Sequence, residues 1–239
     1  MSMKFLPSIK KFIQRALKTQ GLVVQKIPVS QKWEHRLALL KEKGFSPKHI
    51  LDGGAHLGTW TLKAHSLFPS ALFTLVEPNP EVIPSLTELT LKIKPTIHEN
   101  ALWDTNNEEK SLFLWNTRKN SGASLLPQPQ SPHLATYTTK SVTIDFLFET
   151  HPIKPDLIKL DLQGAELKAL QGAKKTLKTC SVLLIEFGLL TAYHNRATPC
   201  QLLSFLENEG FRLQDIVDLS YLETDLTLFG GDFLFVRPK

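Results

Sequence analysis

Ile50-Leu51-Asp52-Gly53-Gly54-Ala55-His56-Leu57-Gly58 is the stretch whose reading decides the fold. His49-Ile50-Leu51-Asp52 reads as a short strand, residues 53–58 as a glycine-rich turn, and Thr59–Leu67 as a helix. A strand that turns into a helix through small residues lets a ligand approach the backbone and leaves unpaired amides at the helix start. Leu72–Val76 is a second strand ending in Glu77-Pro78-Asn79-Pro80, followed by a helix over 81–91 and a third strand over 96–99. Strand–helix–strand–helix–strand with short connections is the pattern of a doubly wound parallel sheet.

Further along, the alternation pauses and then returns. Residues 111–115 and 141–144 read as strands, with a Pro/Gln/Ser-rich loop at 127–133 between them. Leu157–Leu160 is a strand, 165–177 a helix, and 181–186 an apolar strand. Then come a helix over 199–209 and strands over 212–218 and 233–236, the last after Gly230-Gly231. The expected organisation is one α/β domain over 49–239, with an excursion at about 104–155 and an N-terminal helical extension over 1–48.

The chain has 239 residues and a net charge of +5, unevenly placed. Residues 1–48 hold 11 of the 28 basic residues but only two of the 23 acidic ones, a net of +9, which leaves −4 for 49–239. A nucleic-acid groove would run through the fold and interleave aromatics, so no nucleic-acid partner is expected. Within the extension, Phe5, Ile9, Phe12, Ile13, Ala16 and Leu17 recur at helical spacing between lysines and Arg15, and a second helix covers 31–43. Residues 4–18 could lie on an anionic membrane surface or pack on the domain or across a homodimer; packing is preferred, as amphipathic helices mostly face a core. No apolar run is long enough to span a bilayer, and the N-terminus lacks the apolar stretch of a signal peptide. Two cysteines, Cys180 and Cys200, do not make a disulfide framework, and the expected location is the cytoplasm, with peripheral contact at the inner membrane surface if residues 4–18 bind lipid. The histidines show no ligand spacing, so no metal is expected.

A dinucleotide turn would place glycine where Ala55 stands, and Asp52 would be an odd neighbour for a pyrophosphate. Asp52 suits a positively charged ligand better, such as S-adenosylmethionine with its ammonium and sulfonium. Glu77, 19 residues after Gly58, is placed to accept hydrogen bonds from ribose hydroxyls. Asn100-Ala101 follows the third strand near the expected adenine edge. Asp161, Glu166, Glu186 and His194 are candidates to receive a proton at the acceptor side, with Tyr193 as a positioning group and the base undecided. Asn120-Ser121-Gly122-Ala123-Ser124-Leu125 and the proline-rich loop form the expected substrate-facing insertion.

From about Ile50 to Val236 the chain resembles the FkbM-type methyltransferases, a class I branch of the S-adenosylmethionine-dependent enzymes. The resemblance is carried by ILDGGAHLGTWT (50–61), LVEPNP (75–80), ENAL (99–102), SGASL (121–125), VTIDFL (142–147), DLIKLDLQGAELKALQGA (156–173) and GGDFLFV (230–236). The chain has His56 where the family commonly has Asn, and Gln163 where it often has Glu. The resemblance implies a Rossmann-like, seven-stranded, mostly parallel sheet with helices on both faces and S-adenosylmethionine as cofactor. It implies a cofactor site of Asp52, Gly54, Ala55, His56, Gly58, Glu77, Asn79, Asn100 and Ala101, with Asp161 near the methionine portion or the acceptor. The acceptor side is then drawn from Asp161, Glu186 and His194 for catalysis and Ser124, Gln163, Glu166 and Tyr193 for substrate. The implied reaction is O-methylation of a hydroxyl on a small molecule, sugar or lipid-linked glycan. The competing readings are a binding module that keeps the fold and docks through its basic helix, and an NAD-dependent oxidoreductase, against which Ala55 and Asp52 count.

Overall fold

The computed structural model of the chain describes residues 32–114, 123–127, 135–189 and 195–238. Among them the strands are β1 (His49–Gly53), β2 (Leu72–Val76), β3 (Thr96–His98), β4 (Ala101–Leu102), β5 (Glu109–Leu114), β6 (Ala135–Val142), β7 (Leu157–Leu160), β8 (Val182–Gly188), β9 (Arg212–Tyr221) and β10 (Leu228–Val236). The helices are α1 (Trp33–Glu42), α2 (Thr59–Leu67), α3 (Ile83–Leu89), α4 (Ile144–Leu147), α5 (Glu166–Gln171), α6 (Lys174–Leu177) and α7 (Pro199–Asn208). None of these helices is long and apolar enough to cross a membrane.

A seven-stranded sheet runs β3-β2-β1-β7-β8-β10-β9, and β4-β6-β5 form a smaller one. β10 is antiparallel to both its neighbours, while β1, β2, β3, β7 and β8 pair in parallel. β9 therefore points with the parallel set, six strands one way and one the other. The mostly parallel α/β sheet expected from the sequence is present.

β1 and β7 are buried along their whole length, as strands covered on both faces are. Successive side chains feed opposite cores. Leu51, Ile158, Leu183 and Phe235 pack with Leu170, Leu177 and Leu206 of α5, α6 and α7. Ile50, Leu157, Leu184 and Leu234 pack with Leu37, Ala64 and Leu86 of α1, α2 and α3. Burying each such side chain contributes roughly 1.5–3 kcal/mol.

Several boundaries differ from the expected ones, each for a physical reason. α1 is part of the body, because Trp33 and Leu37 are buried in the second core and Asp218 of β9 accepts from the Trp33 amide at 2.8 Å. A division at residue 48, drawn from charge, cuts α1 away from apolar contacts that charge does not register. The amphipathic stretch 4–18 lies outside the described residues. β6 ends at Val142, not Ile144, because the Thr143 hydroxyl caps α4 by accepting from the Phe146 amide at 3.1 Å. The helix expected over 165–177 breaks at Gly172-Ala173 into α5 and α6. The Gly172 backbone packs against the Trp103 carbonyl, and Asp145 accepts from the Lys175 and Thr176 amides at 2.9 and 2.7 Å to start α6.

A Cβ at Gly172 would run into that carbonyl oxygen. Gly172→Val is expected to lower unfolding free energy by about 1–3 kcal/mol in urea titration, the range for overpacking.

Candidate active site

β1 lies between β2 and β7, so the connections leave it in opposite directions; ligands of open α/β sheets bind at such a switch point, beyond the carboxyl ends of the strands. A cavity of about 350 Å³ opens there, lined by the glycine turn, the end of β2, the end of β7 and residues of α1, α2, β9 and β10. It is of a size that takes a small molecule.

The cavity is built on Lys159. Register pairs Lys159 of β7 directly with Asp52 of β1. The Lys159 ammonium lies 2.9 Å from Asp52 Oδ1 and donates to the Gly54 carbonyl at 2.8 Å. Asp52 is fully buried, and its other oxygen accepts from the Thr61 hydroxyl at 2.6 Å. Burial opposes the Lys159 charge, but Asp52 and then Asp161 outweigh it, so its pKa stands above the ordinary lysine value. One ammonium thus ties two strands to the turn. Asp52 does not line the cavity, which corrects the reading of its carboxylate as a direct partner for a cationic ligand; Lys159 takes that place.

The turn itself follows from close approach. Gly54 has φ +72°, and a Cβ there would meet the Asp161 carbonyl. Ala55 and the left-handed His56 (φ 48°) line the cavity, and the His56 amide donates to Glu77 Oε2 at 2.8 Å. Glu77 Oε1 accepts from the Asn79 amide at 2.9 Å. Burial pushes the Glu77 carboxyl up, and those two amides partly offset it. Gly58 (φ +73°) starts α2 and packs against Leu89 instead of lining the cavity. Asn79 is buried, with Oδ1 accepting from the Glu81 amide at 3.0 Å and Nδ2 unpartnered. Asn100 and Ala101 line the same end, although the Asn100 amide donates to the Lys140 carbonyl at 3.2 Å and Ala101 has already moved into the second sheet.

At the other end, Asp161 lines the cavity just beyond β7. Gln163 lines it too, and its amide donates to Asp161 Oδ1 at 2.8 Å and lies 3.2 and 3.3 Å from the Glu186 oxygens. Glu186 sits behind this pair, 3.3 Å from Arg196 Nη2. Burial raises Glu186 well above the ordinary carboxylate range, helped by the charges of Asp161 and Glu166. Ser124 lines the wall, but its hydroxyl donates to the Gln163 carbonyl at 2.8 Å and accepts from Leu126, so it fastens residues 123–127 to the turn after β7. Glu166 is not at the wall: it is buried and accepts from the Leu162 and Gly164 amides at 2.9 and 3.0 Å, which corrects its reading as a substrate contact. Tyr193 and His194 lie outside the described residues, as do 115–122 and 128–134 of the expected insertion.

Sequence reasoning missed Lys159, Asp218, Asp232, Trp33, Trp60 and Lys63 as lining residues. A lysine inside LIKL and an aspartate inside GGDFLFV are charges in strands otherwise buried, and that anomaly was the available signal. Burial and the nearby Asp161 charge push Asp232 up to about 7. The Trp33 and Trp60 rings pack with centroids 5.0 Å apart and planes tilted by 32°, a contact no sequence pattern marks. Among the described residues no group of three His, Cys, Asp or Glu is arranged to hold a metal ion.

Residues 52–213, more than half the chain, match the methyltransferase FkbM domain, and the chain belongs to that family. The family and the fold are those of S-adenosylmethionine-dependent methyltransferases. The structure is similar to that of the FkbM methyltransferase from Methylobacillus flagellatus KT, with TM-score 0.51 and 16% identity over 78% of this chain and 43% of that one. The chain thus spans less than half of that protein's length. It is also similar to a proposed O-methyltransferase from Klebsiella pneumoniae, with TM-score 0.51 and 12% identity over 99% and 92% of the two chains. Both likenesses are of fold. No curated protein sequence matches the chain.

The walls fit this cofactor by charge. Among the described residues, Glu77, Asp161, Asp218 and Asp232 line the cavity with Lys63 and Lys159. The ammoniums of Lys63 and Lys159 lie 2.7 and 2.9 Å from Glu34 and Asp52. Asp218 is held by the Lys32 ammonium at 2.7 Å, which leaves Glu77, Asp161 and Asp232 in excess. An excess of carboxylates favours an ammonium and a sulfonium and opposes a pyrophosphate.

Two outcomes are expected. Lys159→Met leaves Asp52 buried without its cation and should cost about 3–5 kcal/mol in chemical unfolding, whereas adding Asp52→Leu should restore much of it. Asp232 has a raised folded value of about 7 against an ordinary 3.8, so the unfolded chain gives up its proton first. Its contribution to stability is full below about pH 4 and lost as pH rises to about 7, and Asp232→Asn should flatten that part of the Tm–pH curve.

Proposed function

We propose that the chain transfers the methyl group of S-adenosylmethionine to a hydroxyl of a small molecule, sugar or lipid-linked glycan, with Asp161 receiving the hydroxyl proton. The observation that carries this reading is the Asp161 carboxylate on the cavity wall, oriented by the Gln163 amide at 2.8 Å and opposite the Glu77 end. The cofactor, when bound, supplies an electrophilic methyl on a positively charged sulfur. Glu77 accepts from the ribose hydroxyls, and the backbone of Gly54, Ala55 and His56 lies along the cofactor. Asn79, with its unpartnered Nδ2, and the Asn100-Ala101 backbone serve the adenine end.

Asp161 then holds the acceptor. A hydroxyl that donates to Asp161 is fixed in direction, and alignment with the methyl carbon at ~3 Å supplies much of the rate by proximity. As the oxygen bonds carbon, its proton passes to Asp161, a group within hydrogen-bond reach of it. Trp33, Trp60 and Leu184 keep part of the wall apolar and exclude water.

Calorimetric titration should give saturable binding of S-adenosylmethionine and S-adenosylhomocysteine and none of NAD. Glu77→Ala should weaken both ligands by at least about tenfold, the equivalent of one charge-assisted hydrogen bond. Asp161→Asn should leave S-adenosylhomocysteine bound and lower turnover on a hydroxylated acceptor by about a hundredfold to ten-thousandfold. Binding of NAD alone, or acceptor turnover unchanged in Asp161→Asn, would overturn the reading.

A further inference from the structure

We propose that Glu186 and Asp232, beside Asp161, hold one shared proton in the free protein and release it to solvent when the sulfonium-bearing donor binds. The cluster then stands ready for the proton of the acceptor. This rests on the methyltransferase reading above and adds where its proton goes.

The geometry makes the three carboxylates one unit. A single Gln163 amide lies 2.8 Å from Asp161 and 3.2 and 3.3 Å from the two oxygens of Glu186. Glu186 on β8 and Asp232 on β10 face each other directly in the antiparallel register. Residues so paired have Cβ atoms about 4.5–5.5 Å apart, and like charges there repel. Asp161 and Asp232 both line the cavity.

The charges around the cluster do not neutralise it. Arg196 reaches Glu186 at 3.3 Å. Lys159 on β7 faces Asp161 and Asp232, but its ammonium is held by Asp52 on β1 and the Gly54 carbonyl. Asp218 of β9 is held by the Lys32 ammonium at 2.7 Å, which also feels Asp232, while Glu166 of α5, raised by its own burial, adds an acid and no cation. Carboxylates sharing a site with too few cations do not all ionise; one keeps its proton. Burial works the same way on Glu186 and Asp232.

Donor and product differ by one positive charge. A cation brought beside a carboxylate favours its ionised form, by about 1–3 pK units. The cluster therefore loses its proton on binding the donor and not on binding the product. In the transfer, the S–C bond breaks with its electron pair left on sulfur, the O–C bond forms, and the hydroxyl proton moves to Asp161. The sulfur is then uncharged, and the cluster again holds one proton, as in the free protein. The proton that the reaction produces leaves at donor binding.

The test is calorimetric titration of the full chain near pH 7 in phosphate and in Tris, whose ionisation enthalpies differ, so that released protons are counted. S-adenosylmethionine should release about half to one proton more than S-adenosylhomocysteine. The preference for the donor over the product should then rise about three- to tenfold per pH unit across pH 6–7.5. In Asp232→Asn and in Glu186→Gln, the difference between the ligands should collapse while S-adenosylhomocysteine still binds. Equal proton counts for the two ligands, or a difference that survives in both variants, would overturn the proposal. Failure of either ligand to bind the unaltered chain would overturn the methyltransferase reading itself, and this inference with it.

Discussion

The ion pair between Lys159 and Asp52 is the interaction on which the rest of the site depends. It joins β7 to β1 at the switch point of the sheet, and the same ammonium holds the Gly54 carbonyl at 2.8 Å. A lone buried charge in either place would be costly, but together the pair carries no net charge and each partner has further hydrogen bonds. The glycine turn is thereby fixed from below, and its upper face stays free for a ligand. Glu77 fixes it from the side through the His56 amide.

With Asp52 and Lys159 cancelling, the sign of the cavity is set by the carboxylates that remain. Glu77 stands at one end, and Asp161 and Asp232 at the other. A cofactor with an ammonium and a sulfonium meets complementary charge there, which a pyrophosphate would not. The rim of acids also brings several carboxylates close together beside the acceptor position, so the electrostatics that select the cofactor also govern proton transfer.

The glycine turn, Glu77 and Asp161 were legible in the sequence because each sits where a strand ends, and strand ends are readable from periodicity. The sheet was legible for the same reason, down to the apolar runs of β7 and β8. What the sequence hid depends on register. Nothing local says that Lys159 lies opposite Asp52, so the Asp52 charge was assigned to a ligand. Nothing local says that Asp232 faces Glu186, since that follows from the antiparallel pairing of β10 with β8. Glu166 looked like a cavity acid because it follows a strand, yet two amides of its own loop take its carboxylate inward. Trp33 was set aside with a basic extension, although an apolar ring answers to the core it packs in and not to the charge of its neighbours.

A crystal structure of the chain with S-adenosylhomocysteine tests the central claim most directly. The expected result has the ribose hydroxyls on Glu77, the sulfur facing Asp161, and the Lys159 ammonium still between Asp52 and the Gly54 carbonyl. A ligand seated away from Glu77, or a Lys159 side chain swung off Asp52 to meet it, would contradict the claim.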